Sequence, residues 1–192
     1  AVVGISTTSS KWGGSNWLKT LQELGFEGKL YPVNPSLSEF AGIKAYPSIK
    51  DIPDSVDLVI VSIPALSTPQ LMEECVSKGV KFVHLYTAGF TESGEEEGTR
   101  LEAKLVQIAC KGGVRIIGPN CMGPYYPVSH MCWRLDLPRE SGPVALFSQS
   151  GWNVVDIVRL ADVRGVQFNK AISYGFASGL NQPDFLEYFV AD

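Results

Sequence analysis

Apolar runs and amphipathic stretches alternate along the first two thirds of the chain. The short, nearly continuous apolar runs predict strands at 1–5, 29–33, 57–62, 80–86 and 114–117. Between them, apolar side chains at helical spacing predict helices at 15–24, 68–78 and 92–111. Strands that alternate with helices of this length indicate a parallel, doubly wound α/β sheet.

The pattern is lost and then begins again after this first unit. Residues 125–142 are rich in proline and aromatic side chains and show no clear period, which predicts a linker. Strands at 144–147 and 166–173 and helices at 152–163 and 184–190 then indicate a second α/β unit. So few strands can hardly complete a core. We therefore expect the natural protein to continue, and to have residues before Ala1, which lies inside a predicted strand.

The predicted strands end in loops that share small, polar, proline and glycine residues: 6–11, 34–35, 63–65, 87–90 and 118–121. Loops at the carboxyl edge of one parallel sheet converge on one crevice, so the sequence predicts a ligand cleft there. The sharpest of these turns is Gly118-Pro119-Asn120-Cys121-Met122-Gly123, where an amide and a thiol stand between conformationally special residues.

The first strand-to-helix loop combines a run of hydroxyls with Lys11. Backbone N–H groups at such a helix start attract phosphate, although an ordinary helix-capping surface loop is an equal alternative. The G-x-G-x-x-G fingerprint is absent, and Asn34 and Pro35 stand where a dinucleotide enzyme carries an acidic, ribose-binding residue. Both observations argue against a redox-type NAD domain.

Composition narrows the classes of partner. The 192 residues are 45% hydrophobic and 19% charged, as in a globular protein, and the net charge of −4 with no dense Lys/Arg run argues against nucleic acid. The apolar runs are too short to span a membrane. The four cysteines have no C-x-x-C spacing, which favours reduced thiols in a cytoplasmic protein over disulfides or a metal site.

A second candidate site is the turn Ser148-Gln149-Ser150-Gly151, which leads into a predicted helix. Its hydroxyls and N–H groups suit a phosphoryl group. Ser150 as an esterase nucleophile is the alternative, but the glycines of G-x-S-x-G are not both present. The two histidines also offer it no clear partner, since His84 lies in a strand pattern and is expected to be buried, whereas His130 is expected to be exposed.

Six strings of residues follow one another along the chain: Gly4-Ile5-Ser6 with Lys11-Trp12-Gly13, Tyr31-Pro32-Val33-Asn34-Pro35, Thr87-Ala88-Gly89-Phe90-Thr91-Glu92, Gly118-Pro119-Asn120-Cys121-Met122-Gly123, Ser148-Gln149-Ser150-Gly151 and Asp184-Phe185-Leu186-Glu187-Tyr188. Through these strings and their order, the chain resembles the NDP-forming acyl-CoA synthetases over nearly its whole length. These enzymes are relatives of the succinyl-CoA ligase α subunit.

The resemblance implies an α/β fold in two parts. Residues 1–137 would form a Rossmann-like, parallel-sheet CoA-binding domain, and residues 138–192 the truncated start of a flavodoxin-like domain of the succinyl-CoA ligase type. The family converts acyl-CoA, nucleoside diphosphate and phosphate to acid, CoA and nucleoside triphosphate through a phosphohistidine, which would lie outside this chain. Mg and ADP or ATP would bind the remaining ligase and nucleotide-grasp domains or subunit; a homo-oligomer is left open.

The resemblance also implies roles for individual residues, each by its position in a matching string. The expected CoA contacts are Ser6, Thr7, Thr8 and Lys11 for the phosphates, Asn34 and Pro35 for the nucleotide part, Pro64, Ala65, Thr87 and Ala88 for pantetheine, and Asn120 and Cys121 for the thiol end. The expected phosphoryl site is Ser148, Ser150 and Gly151, with Glu187 as the catalytic carboxylate. Met122, Tyr125 and Tyr126 either line an acyl pocket or pack on the domain surface.

Three positions around the second turn depart from the family. Phe176 stands where asparagine is usual, and Trp152 and Asn153 replace small residues. The departures leave two functions open. The chain is either the CoA-binding segment of a ligase, or a non-catalytic CoA or acyl-CoA module with a regulatory role, for example one fused to an acyltransferase.

Overall fold

The computed structural model describes residues 1–7 and 13–192. In chain order its strands are β1 (Val2–Val3), β2 (Pro32–Val33), β3 (Glu39–Phe40), β4 (Ile43–Lys44), β5 (Leu58–Val61), β6 (Phe82–Leu85), β7 (Arg115–Ile117), β8 (Gly123–Tyr125), β9 (Val144–Ser148) and β10 (Phe168–Ser173). Its helices are α1 (Gly14–Leu24), α2 (Thr68–Lys78), α3 (Glu96–Gly112), α4 (Gly151–Asp162) and α5 (Gln182–Ala191).

The main sheet has five parallel strands in the order β2-β1-β5-β6-β7, which confirms the predicted fold class. Alternate residues of its central strand enter two different cores. Val59 and Val61 pack in the cluster that holds the buried faces of α2 and α3, whereas Ile60 packs in the cluster that holds α1 and α4. A strand that is covered on both faces must be apolar throughout, and this is the pattern that the sequence shows.

The predicted linker is instead part of the fold. Strand β8 pairs antiparallel with β10, which in turn pairs in parallel with β9. Tyr125, Trp133 and Leu137 are buried in the core shared with α1 and α4, and the Tyr125 hydroxyl donates to the Pro138 carbonyl over 2.8 Å. The sequence pattern of 125–142 did not reveal strand β8 or this burial, because the pairing partner is far along the chain, where local periodicity carries no information about it.

Glycines and a 3-10 turn explain where two of the helices end and begin. Helix α2 has the predicted bounds, and Gly79 ends it in a left-handed conformation with φ 75°. Helix α3 begins at Glu96, four residues later than predicted, because Thr91–Ser93 form a 3-10 turn and Gly94 has φ 75°. The Glu92 carboxylate accepts from the Gly89 and Phe90 N–H groups over 2.7 and 3.1 Å, so it closes this turn.

Backbone hydrogen bonds join the second sheet to the first. The segment after β10 donates from Ser178 N to the Gly118 carbonyl over 3.0 Å and from Leu180 N to the Ile116 carbonyl over 2.9 Å. The Ser173 hydroxyl accepts from Met122 N over 3.3 Å. These contacts set the second sheet against the loop after β7. Within residues 1–7 and 13–192, no helix has both the length and the apolar content to cross a membrane.

Candidate functional site

A cleft of about 540 Å³ lies at the carboxyl ends of β5, β6 and β7. It brings together loops of the main sheet and the first residues of α4. Its described lining is Ser62, Ile63, Pro64, Tyr86, Thr87, Ala88, Asn120, Cys121, Met122, Gly151 and Trp152. Five of the six residues predicted to contact pantetheine and the thiol end therefore meet here: Pro64, Thr87, Ala88, Asn120 and Cys121.

Glycines bring α1 close to one edge of the cleft. Gly4 has φ 92°, and a Cβ there would lie 2.0 Å from the Ser62 carbonyl oxygen, so only glycine fits. A Cβ on Gly13, which precedes α1, would lie 3.0 Å from the Ser62 hydroxyl. The first turn of α1 carries no acidic residue. The positive end of its helix dipole therefore points toward this edge, as an anion site requires.

The first loop is only partly described. The Ser6 N–H donates to the Ser15 hydroxyl over 2.7 Å, and that hydroxyl donates to the Ser6 carbonyl over 2.8 Å, which closes the loop onto α1. Ser6 and Thr7 are exposed. Thr8 and Lys11, two of the predicted phosphate-binding residues, lie outside the described residues.

Hydrogen bonds between neighbouring strand ends shape the middle of the cleft. The Thr87 hydroxyl donates to the Ile63 carbonyl over 2.8 Å, and the Asn120 N–H donates to the Thr87 carbonyl over 3.0 Å. Asn120 has φ 51° and an exposed side chain. The Thr87 hydroxyl and one backbone hydrogen bond thus join the three loops, and the Asn120 side chain is left at the surface of the cleft.

A buried histidine supports the loop after β7, in which the Gly118–Pro119 peptide is cis. His84 Nε2 lies 3.0 Å from the Cys121 carbonyl oxygen, so this nitrogen carries the proton and donates. The ring packs edge-on against Trp17 with 5.4 Å between centroids, and its burial lowers the pKa of His84 to about 4. His84 is buried and His130 exposed, as predicted, and among the described residues each ring is hydrogen-bonded to a backbone carbonyl rather than to a serine.

Cys121 fills space in the wall of the cleft, and its thiol is not a reactive nucleophile. Its side chain is buried, and its thiol contacts the Leu85 carbonyl at 3.9 Å. Burial raises the pKa of the Cys121 thiol well above its usual range, which keeps it protonated. All four cysteines are free thiols, and the described residues hold no cluster of three His, Cys, Asp or Glu side chains suited to a metal.

The turn before α4 forms the other end of the cleft. Ser150 caps the helix, since its hydroxyl accepts from the Asn153 N–H over 3.3 Å, and the Ser148 hydroxyl accepts from the Ser150 N–H over 3.3 Å. Gly151 lines the cleft, where a Cβ would lie 2.6 Å from Met122 Cγ. Both hydroxyls therefore have structural roles, and the N-terminus of α4 opens on the cleft.

The described residues give the cleft an uncharged wall. None of the described side chains that line it is ionised at neutral pH. The first turn of α4, like that of α1, carries no acidic residue. Two helix N-termini therefore provide the positive potential at its two ends.

The predicted nucleotide contacts occupy a neighbouring pocket of about 250 Å³ that shares Ile63 with the cleft. Asn34 and Pro35 line this pocket. The Asn34 amide donates to the Ile5 carbonyl over 2.7 Å and its oxygen accepts from the Ser36 N–H over 2.7 Å. Asn34 thus ties the end of β2 to the loop after β1.

The remaining predicted residues lie elsewhere. Ala65 begins a 3-10 turn outside the cleft lining, 3.4 Å from where a Cβ on Gly89 would stand. Glu187 is exposed on α5 and lines a second, larger groove. Of the three acyl-pocket candidates, Met122 lines the cleft, Tyr125 is buried in the core, and Tyr126 lies in the larger groove.

Sequence reasoning missed three residues of the described cleft lining: Ser62, Tyr86 and Trp152. Trp152 was expected beside the phosphoryl turn only, and the start of α4 brings it to the cleft. Ser62 directly follows β5, and Tyr86 directly follows β6. Their signal was their place at the end of an apolar run, where side chains of a parallel sheet reach its carboxyl edge.

The chain is similar in sequence to a known domain family and to two acetate–CoA ligases. Residues 141–192 match the succinyl-CoA ligase like flavodoxin domain. An acetate–CoA ligase [ADP-forming] II α subunit of Pyrococcus furiosus is 42% identical over 98% of this chain and 40% of its own length. An acetate–CoA ligase [ADP-forming] of Methanocaldococcus jannaschii is 37% identical over 100% of this chain and 27% of its own length. The chain thus spans well under half of these relatives.

Solved structures give the same result. A dinucleotide-forming acetyl-coenzyme A synthetase 1 of Ca. Korarchaeum cryptofilum has a TM-score of 0.88 at 33% identity over 100% of this chain and 42% of its own. A crystal structure from Pyrococcus horikoshii OT3 has a TM-score of 0.89 at 39% identity over 100% of this chain and 43% of its own. The chain matches the CoA-binding region of ADP-forming acyl-CoA synthetases. Residues 1–127 match the CoA binding domain, and the chain belongs to that family.

Proposed function

We propose that the cleft binds CoA as part of an NDP-forming acyl-CoA synthetase. The observation that carries this proposal is the convergence of three strand-end loops and the N-terminus of α4 on one cleft of about 540 Å³, with the N-terminus of α1 beside its edge at Ser62; the described lining residues are uncharged. CoA is long, with phosphates at one end and a thiol at the other. A cleft with a positive helix dipole at each end suits the phosphates at one end and a reacting acyl or phosphoryl group at the other.

Within this proposal, the residues keep the roles expected from the family. Ser6, Thr7, Thr8 and Lys11 contact the CoA phosphates beside α1, and Asn34 and Pro35 flank the nucleotide part. Pantetheine follows Pro64, Ala65, Thr87 and Ala88 to Asn120 and Cys121. The turn Ser148, Ser150 and Gly151 receives a phosphoryl group, and Glu187 contacts the phosphorylated histidine. The CoA-binding domain ends at residue 137, and the ligase domain begins at residue 138.

The complete reaction needs more than this chain. We propose that acid, CoA and nucleoside triphosphate are interconverted with acyl-CoA, nucleoside diphosphate and phosphate through a histidine outside residues 1–192. A covalent phosphoryl intermediate divides one difficult step into two easier ones. Mg and ADP or ATP bind the remaining domains or subunit. Free thiols favour a cytoplasmic location.

A non-catalytic CoA or acyl-CoA module is the second candidate. The observation that favours it is Trp152, a large side chain at the helix start where a phosphoryl group would bind. Phosphorylation of the full-length protein separates the two candidates. Labelled ATP with Mg²⁺ leaves an acid-labile phosphohistidine on a ligase and no label on a binding module.

Calorimetric titration of this 192-residue chain tests the proposal itself. We expect CoA to bind in the micromolar range, and NAD and ADP, as controls, to bind much more weakly. Circular dichroism of the same sample establishes that it is folded. A folded chain that binds NAD as well as CoA, or that binds no CoA, would contradict the proposal.

A further inference from the structure

The segment 174–180, which follows β10, lies against the loop after β7. The Ser178 N–H donates to the Gly118 carbonyl over 3.0 Å. A Cβ on Gly175 would stand 2.0 Å from the Pro119 carbonyl oxygen, so the two backbones are in direct contact. The position of this segment and the position of the loop after β7 therefore depend on each other.

A carboxylate on α3 joins the same segment to the loop after β6. Glu102 accepts from the Ser178 hydroxyl through one oxygen and from the Thr91 N–H through the other, the latter over 2.9 Å. Partial burial acts to raise the pKa of Glu102, but the hydrogen bonds from Ser178 and Thr91 outweigh it and hold that pKa below its usual range. The Thr91 N–H, the Glu102 carboxylate and the Ser178 hydroxyl together form the Glu102 bridge.

The Glu102 bridge closes a ring of three chain segments. The Asn120 N–H bonds the loop after β7 to the Thr87 carbonyl of the loop after β6. Backbone hydrogen bonds join the loop after β7 to segment 174–180, and the bridge joins that segment back to the loop after β6. A closed ring holds each segment at two points, whereas an open one leaves its two end segments held at one.

A tight turn connects the bridge to the cleft. Carboxylates hold the three consecutive N–H groups of residues 89–91, since Glu92 accepts from the first two and Glu102 from the third. Ala88, directly before this turn, lines the cleft. A displacement at the bridge is therefore transmitted to the lining through a turn that is fixed along its length.

Glu102 and Ser178 are themselves not among the described residues that line the cleft, whereas Thr87, Ala88 and Asn120 are. The two bridge residues can therefore influence a bound molecule only through the loops that they hold. Small displacements of such loops matter, because binding groups must be held close to their productive geometry.

We propose that Glu102 and Ser178 are positioning residues for CoA, and that the Glu102 bridge holds the loops after β6 and β7 in the arrangement that binds it. A residue that follows β10 thus contributes to CoA affinity without touching CoA. The inference deepens the proposed function and rests on it, because the ligand concerned is CoA in the same cleft.

Calorimetric titration of the 192-residue chain with CoA tests the bridge in Glu102→Ala, Ser178→Ala and the double variant. Each single substitution opens the ring, so we expect the Kd of CoA to rise about fivefold in each, as the loss of one net hydrogen bond predicts. The double variant opens the same link and should also lose about fivefold, whereas two independent losses would multiply to roughly twenty-five-fold. Ser178→Thr keeps the hydroxyl and should retain most of the affinity.

Glu97→Ala is the matched control, because Glu97 is exposed in the first turn of the same helix and lies outside the bridge. Its Kd for CoA should change less than about twofold. Circular dichroism and urea unfolding of each variant show that it is folded; if Glu102→Ala does not fold, the comparison of Ser178→Ala with Ser178→Thr decides the result.

Two results would overturn the positioning role while leaving CoA binding intact. One is an unchanged Kd in a folded Ser178→Ala, even with a lower free energy of unfolding, since the bridge would then serve stability alone. The other is a loss of roughly twenty-five-fold in the double variant, since Glu102 and Ser178 would then act independently. Failure of the wild type to bind CoA would instead refute the proposed function, and the positioning role with it.

Discussion

The cleft and the groove beneath α5 are both concave, yet they are built in opposite ways. The groove is larger, about 850 Å³, and touches the first residues of β5, β6 and β7, whereas the cleft lies at the other ends of the same strands. Ionisable side chains line the groove, among them Asp57, Arg115, Lys170, Asp184 and Glu187. Backbone turns and uncharged side chains form the cleft.

The position of a pocket relative to the sheet indicates a ligand site better than the volume of the pocket does. In open α/β sheets, ligands bind outside the carboxyl ends of the strands, where loops and helix N-termini converge. In the groove, the charge of Lys170 is already paired with Asp192 and lies 5.0 Å from the Tyr188 ring centroid. The larger groove thus contains a lysine whose charge is already matched, whereas the N-terminus of a helix opens on the smaller cleft.

Substituting a glycine at the cleft should have the largest effect. In Gly4→Ala the Cβ would overlap the Ser62 carbonyl at 2.0 Å, in addition to the strain at φ 92°. We expect a loss of about 4 kcal/mol in the free energy of unfolding. Gly42→Ala is the matched control, because Gly42 has φ 78° and nothing within 4 Å of the added Cβ. It should lose only about 1 kcal/mol. Urea titrations of both variants measure this, and equal losses would contradict the close approach.

Acidification tests the role of the buried His84, which supports the loop after β7. Burial holds the pKa of His84 at about 4, below its ordinary 6.5. Between these values the unfolded chain binds more protons, so stability rises with pH through this window and is lost as pH falls from 6.5 through 4, by about 3 kcal/mol in total. Above pH 6.5 His84 is neutral in both states and adds no pH dependence.

Unfolding free energies at pH 7.5 and 4.5 measure the loss. The other titrating groups, including the Ala1 amine, are common to all variants and cancel between them. We expect His84→Gln to reduce the loss by most of this amount and His130→Gln, at the exposed histidine, to leave it unchanged. The same loss in all three proteins would show that His84 titrates as an exposed group.

Substitutions in the cleft and in the groove should differ in their effect on CoA affinity, by a smaller free energy than the stability changes above. Asn120→Gly keeps the backbone at φ 51° and removes only the amide that faces the cleft. We expect CoA affinity to fall by about 1 kcal/mol, roughly fivefold in Kd. Arg115→Ala, at an exposed residue of the groove, should leave the Kd unchanged. A greater loss in Arg115→Ala would move the ligand to the groove.

The smallest effect concerns the thiols. Cys110 is exposed, whereas burial raises the pKa of Cys75 to about 12 and of Cys132 to about 11. A thiol-reactive dye should therefore label one cysteine rapidly in the native chain and none in Cys110→Ser. Cys121→Ser should change CoA affinity less than about twofold, because that thiol is buried at the end of the cleft and contributes volume. Rapid labelling of Cys121 would contradict its burial.

Much of the fold could be predicted from local signals. Helix α2 matches its prediction at both ends because a stripe of apolar residues and a left-handed glycine at 79 are properties of neighbouring residues. The β3–β4 hairpin and strand β8 were missed. Strands of two or three residues are too short to repeat the alternating pattern that would reveal them, and β8 is defined only by its distant partner.

For the candidate site too, some features could be predicted from local signals and others could not. Chain order predicted that the loops after β5, β6 and β7 would meet, and Thr87 and Asn120 are in hydrogen-bonding contact through their backbones. The turn at Ser150 was predicted as a separate phosphate site, which stays a prediction, and its position against Met122 depends on packing between the two sheets. No local pattern encodes that packing.

The sequence by itself determined the parallel sheet, most of its helices, the family resemblance and the loops that form the cleft. These follow from spacing, glycine positions and the rule that parallel strands place their ends at one edge. Only the tertiary structure decided that residues 125–142 enter the core, that α4 completes the cleft, and that Glu187 lines the other groove. Each of these depends on contacts between residues far apart in the chain, and side-chain periodicity records only near neighbours.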